Sequence, residues 1–198
     1  MESHDRTRQG LGYVGLSLAV LGLASVIQLI VFLASGSIAL LADLIHNVGD
    51  AATALPVGLA FVLHSERAER WSGGAVVLAI LVSAAVAAYT AIQRLINPQP
   101  VTHLLPLAMA GAIGFAGNWI AGIIRTRGGK RLGSAALIAD GAHAGADAYA
   151  SLAAVASATL VALGWQVADP VLGLALTAFI LHVAWDAWGT VRRGTHQS

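Results

Sequence analysis

The sequence predicts an all-α fold: a polytopic membrane protein of six transmembrane helices with both termini cytoplasmic. Three observations carry that prediction. The 198 residues are 57% hydrophobic and 11% charged, with a mean hydropathy of +0.75, against roughly 25% charged residues in an ordinary soluble domain. Apolar runs recur at lengths that cross a hydrocarbon core of about 30 Å, which takes about 20 helical residues at 1.5 Å each. The basic residues, finally, gather in alternate connections.

The segments follow in order. After a tail over 1–10, the stretch 11–34 is the first span; it is too long for the apolar region of about 7 to 15 residues in a secretory signal. Spans two to six are expected over 37–63, 73–96, 101–124, 133–163 and 170–188, within a membrane domain of 11–190. A tail over 191–198 follows, with no soluble domain. On this map Arg6, Arg8, Arg67, Arg70, Arg125, Arg127, Lys130, Arg131, Arg192 and Arg193 fall inside, and of the 11 basic residues Arg94 alone falls outside. Such a bias across short loops orients the termini inward. Trp71, Trp165, Trp185 and Trp188 sit near span ends, as an interfacial aromatic belt requires. The protein is therefore expected in the lipid bilayer of the plasma (inner) membrane.

Composition also excludes chemistry. With no cysteine there is no disulfide framework, thiolate metal site or cysteine nucleophile. A formal net charge of +1 leaves no basic footprint for a nucleic-acid partner. Any metal must be held by His, Asp or Glu.

Spans two and five carry ionisable residues that insertion scales penalise by roughly 2.5 to 3.5 kcal/mol for each Asp. They repeat one pattern. Residues 37–51 and 134–148 match at a constant offset, aligning Asp43, His46 and Asp50 with Asp140, His143 and Asp147. Positions i, i+3 and i+7 share a helix face, so each triplet forms a polar stripe. The spans run in opposite directions, and counting 1.5 Å per residue sets His46 and Asp50 roughly 12 and 18 Å below the outer surface, with Asp147 and His143 at roughly 10 and 16 Å. His46 would thus face Asp147 and Asp50 would face His143. Two imidazoles and two carboxylates suit a tetrahedral divalent ion, Zn2+ first; Cd2+, Co2+, Fe2+ and Mn2+ fit the same donors. Asp43 and Asp140 would be way-stations toward the outer and inner sides, beside the plainer reading of helix-bonded or water-facing carboxylates. A structural ion-pair network is rejected because the spans show four acids and no Lys or Arg to pair with them. Asn47 and Asn118 are candidate orienting donors, beside interhelical hydrogen bonding unrelated to transport, and His64 is a candidate for ion uptake at the inner side, beside the plainer reading of a solvated loop histidine. His4, His103, His182 and His196 have no partner at ligand spacing. Pro56 can kink span two, and Asp186 can reach the interface or pair with Arg192 or Arg193.

The segment from Ser35 through His46 to Asp50 resembles the second-helix signature of the cation diffusion facilitator family of divalent-metal transporters, and His143 to Asp147 its fifth-helix counterpart. Landmarks at Arg67 to Glu69, Ala91 to Pro98 and Gly164 to Pro170 extend the resemblance over nearly all of the chain. It implies that His46, Asp50, His143 and Asp147 bind the transported ion, which moves outward in exchange for H+ by alternating access within a homodimer. Family members usually carry a cytoplasmic C-terminal domain, which is not expected here. The competing classes are a nontransporting metal sensor or partner subunit and an intramembrane metallohydrolase. The hydrolase lacks a His-Glu-x-x-His helix and an intramembrane Glu base.

Overall fold

The computed structural model describes residues 2–35, 54–63, 65–97, 104–165 and 167–194. These form α1 (Glu2–Ser35), α2 (Ala54–Leu63), α3 (Glu66–Ile96), α4 (Leu104–Leu132), α5 (Ala135–Ala162) and α6 (Ala168–Gly194), with no strand among the described residues. Five are long and apolar enough to cross a membrane; α2 is the described end of the expected second span. The fold is that of a multi-pass integral membrane protein.

Several helices overrun the apolar stretches because charge does not end a helix; capping does. The α3 helix begins at Glu66, where the Ser65 hydroxyl accepts from the Ala68 amide at 3.3 Å. In α4, Arg125, Arg127, Lys130 and Arg131 all remain helical until Gly133, whose φ of +62° is left-handed. Glycine adopts that conformation without the steric cost a side chain brings. The Ser134 amide then reaches back to the Gly129 carbonyl at 2.9 Å, closing the six-to-one bond of a Schellman cap. Ser134 also caps α5, accepting from the Leu137 amide at 3.3 Å. Two residues thus end one helix, start the next and force α4 and α5 into an antiparallel hairpin.

Small residues let that hairpin close. A Cβ built on Gly122 would lie 3.1 Å from the Gly141 carbonyl oxygen, and one on Gly129 would lie 2.7 Å from the Ile138 amide nitrogen. Backbone occupies the space that side chains would fill. This is how helices associate where lipid removes most of the hydrophobic drive. Next to the hairpin, α1 packs on α4 and α6 packs on both α3 and α5. The apolar core draws on Val57 of α2, Val76 and Ile80 of α3, Leu137 and Ala146 of α5, and Ile180 of α6. Rings of Phe115 and Trp119 stack, and Tyr149 and Phe179 continue edge-to-face contacts across α5 to α6. Leu23, Leu33, Leu78 and Leu105 project outward, as an apolar solvent requires.

Polar ties mark the two ends. At one, Arg6 meets Glu69 at 3.3 Å and donates to the Leu132 carbonyl, while the Thr7 hydroxyl donates to the Phe61 carbonyl. At the other, Arg94 of α3 pairs with Asp169 of α6. The first end carries the basic residues expected inside.

Candidate metal centre

The buried face of α5 includes Leu137, Asp140, His143, Ala144, Asp147 and Ser151, a helical spacing in which polar and apolar positions share one stripe. Alanine and glycine around the ionisable residues admit the neighbouring backbones and seal them from lipid. His143 and Asp147 stand one turn apart, His143 Nδ1 lying 3.3 Å from Asp147 Oδ2 with the two side chains 2% and 4% exposed. An imidazole nitrogen and a carboxylate oxygen therefore sit side by side within a spanning helix. They amount to half of a four-ligand set.

The other expected ligands, His46 and Asp50, lie outside the described residues, as do Asp43, Asn47 and His64. Among the described residues no three His, Asp or Glu groups come together as a metal cluster. Asn118 of α4 is 1% exposed. The hairpin register, in which Gly122 meets Gly141 and Gly111 meets Ser151, places Asn118 opposite Ala144 and Gly145, between the levels of His143 and Asp147.

The buried acids do not lack a basic neighbour: Arg125 Nη1 lies 3.2 Å from Asp140 Oδ1, with the side chains 1% and 0% exposed. Arg125 Nε donates to the Ser17 hydroxyl at 3.0 Å, and that hydroxyl donates to the Val14 carbonyl at 2.8 Å. The guanidinium's Nη2 has no hydrogen-bond partner among the described residues. Arg125 was placed in an inner connection because the apolar run ends at Ile124. The helix, however, continues to Leu132, and the hairpin turns Arg125 toward α5. No sequence signal singles out Arg125, which stands at the head of the basic cluster that ends with Arg131. Asp140 is thus held by Arg125 rather than standing alone on the inner side of His143.

A second pair also escaped the sequence reading. His182 Nε2 lies 3.4 Å from Asp186 Oδ2 on α6, both side chains well exposed. Its signal was the His-x-x-x-Asp spacing already noted in spans two and five. Asp186, expected to reach the interface or pair with Arg192 or Arg193, has His182 beside it.

A bundle of membrane-spanning helices with a His and Asp pair buried on α5 is a polytopic membrane protein with ionisable groups in its interior. The chain belongs to the cation efflux family, the cation diffusion facilitators: the family's transmembrane domain matches residues 14–188. It is 48% identical over 191 residues to a probable cation efflux system protein of Mycobacterium tuberculosis, covering 90% of this chain and 57% of that protein. It is 32% identical over 175 residues to an uncharacterized transporter of Synechocystis, covering 81% and 54%. It is 30% identical over 182 residues to the zinc transporter ZitB of Pectobacterium atrosepticum, covering 83% and 54%. The chain spans a little over half the length of these relatives.

Proposed function

We propose that the chain carries divalent metal cations outward across the membrane, Zn2+ first, in exchange for H+, through a site made by His46, Asp50, His143 and Asp147. The observation that carries this reading is the His143 and Asp147 pair, buried side by side on α5 and repeated in sequence by His46 and Asp50 at identical spacing. Two carboxylates balance the charge of a divalent ion, and two imidazoles complete a tetrahedron. The Arg125 pairing narrows the charge argument. It neutralises Asp140, so the charge of that acid is not part of what a bound ion would balance. Zinc is favoured by the donor set and by the name of one relative. Protons compete with metal for imidazole nitrogen, so binding an ion releases protons and acid favours its departure.

The accessory roles follow from position. Asn118 orients ligands, Asp43 receives the ion on the outer side with Asn47 beside it, and His64 meets it at the inner side. Asp140 acts through Arg125 as part of the frame that fixes α5. The active unit is a homodimer, as the family resemblance implies.

Vesicles containing the full chain test the reading when an acidic interior is imposed. Zinc accumulates in the lumen and drains once the proton gradient is collapsed. Accumulation that ignores the gradient contradicts proton exchange, and no zinc movement in either condition contradicts transport.

A further inference from the structure

Arg67, Arg70, Trp71, Gly74, Ala75 and Leu78 of α3 recur at i, i+3, i+4, i+7, i+8 and i+11, which keeps them on one side of the helix. They line an open groove of about 530 Å³. The groove faces out of the bundle: Arg67 and Arg70 are exposed, Trp71 is 77% exposed and Leu78 62%. Its chemistry changes along its length. Two guanidinium groups stand nearest the start of α3, the Trp71 indole follows, and glycine, alanine and leucine carry the groove on to Leu78, about 12 Å beyond Arg70 at 1.5 Å per residue. Charged, then amphipathic, then apolar is the order met on entering a membrane leaflet from its headgroups, with tryptophan at the boundary.

Positive charge gathers at this end. Glu69 does not offset the two arginines, because Arg6 of α1 meets it at 3.3 Å. A Cβ built on Gly73 would lie 3.0 Å from the Val191 side chain, so the last turn of α6 packs alongside and brings Arg192 and Arg193 to the same level. The positive end of the α3 dipole adds to them. All four arginines belong to the set that the charge pattern places on the cytoplasmic side, where the leaflet is rich in anionic lipid.

We propose that this groove binds an anionic phospholipid of the cytoplasmic leaflet, its phosphate between Arg67 and Arg70 and an acyl chain along Gly74, Ala75 and Leu78. Guanidinium matches phosphate oxygens through paired N–H donors. The volume falls within the roughly 300–1,000 Å³ of small-molecule sites, and a free phosphate would leave the apolar length uncovered. A second copy related by a two-fold axis presents the same residues to itself, which would set Arg67 and Arg70 against their own counterparts. Gly74 keeps the groove open. A Cβ built there meets nothing within 4 Å, so bulk at this position enters the groove and not a neighbouring helix.

Native mass spectrometry of the purified full chain, titrated in detergent with phosphatidylglycerol or phosphatidylcholine, tests this. Wild type should hold one phosphatidylglycerol in preference to phosphatidylcholine. Arg67→Gln/Arg70→Gln should bind it about thirtyfold more weakly, the worth of two basic residues at an anionic surface. Arg127→Gln/Arg131→Gln removes the same charge from exposed positions near the end of α4 and should leave the affinity unchanged; an equal loss in both doubles shows general attraction to anionic lipid and overturns the site. Gly74→Leu retains both arginines and favours the helix, yet should abolish the tight equivalent by filling the groove. Wild-type binding in Gly74→Leu contradicts the acyl seat. Unchanged affinity in Arg67→Gln/Arg70→Gln overturns the proposal, and a shifted oligomeric state alongside it assigns the face to a second copy.

Discussion

Arg125 and Asp140 illustrate how much one buried contact decides. Both side chains are withdrawn from lipid and water, so each charge depends on the other. Removing one member of such a pair leaves the other uncompensated, at a cost of about 3–5 kcal/mol, whereas replacing both with apolar groups of similar volume is often neutral. Asp140→Leu is therefore expected to lower the unfolding midpoint in detergent sharply, and Arg125→Met/Asp140→Leu to recover most of the loss; equal loss in single and double variants contradicts the pairing. At His143 the expectation concerns protons. Zinc binding weakens as pH falls, because protons displace metal from imidazole, and His143→Ala flattens that dependence in titrations at successive pH values. The pattern of Asp140, His143 and Asp147 was legible in sequence because helical spacing alone puts them on one face. Arg125 was not, since its sequence neighbours are the basic residues of the inner surface and only the tertiary turn at Gly133 carries it under α5.

Helix identity was plain in the sequence and helix length was not. Runs of apolar residues report the part of a helix that lies in hydrocarbon, while Ser65, Gly133 and Ser134 determine where the backbone hydrogen bonds stop. The close hairpin of α4 and α5 likewise follows from residues whose importance is invisible in a hydropathy count. Gly133→Ala is expected to cost about 1–2 kcal/mol for the left-handed backbone it must keep, visible as a lower unfolding midpoint. A larger residue at Gly141, where a Cβ meets the Thr126 hydroxyl and already falls 2.7 Å from the Thr126 amide nitrogen and 3.0 Å from the Gly122 carbonyl oxygen, has backbone as well as a side chain in its way. Gly141→Leu therefore separates the two helices, costs about 1–3 kcal/mol or more, and reduces zinc binding because His143 shifts with α5. Unaltered binding and stability in Gly141→Leu contradict the close approach.

At the scale of the molecule, the ends joined by Arg6 with Glu69 and by Arg94 with Asp169 fit a bundle whose helices alternate in direction. The absence of cysteine makes this directly testable: single substitutions Arg8→Cys and Arg193→Cys should label from the cytoplasmic side alone, and Leu163→Cys from the opposite side. Any reversal contradicts the orientation read from the basic residues. A chain so poor in charge nonetheless keeps acids in its interior, and the proposed function gives them a use. Some of that charge is met by Arg125, and the remainder is assigned to a travelling ion. The most direct test of that assignment is zinc flux into acid-interior vesicles carrying wild type, His143→Ala or Asp147→Ala, each confirmed as folded by its unfolding midpoint. The account predicts rapid uptake by wild type and loss of uptake in both variants; uptake at the wild-type rate in either one contradicts it.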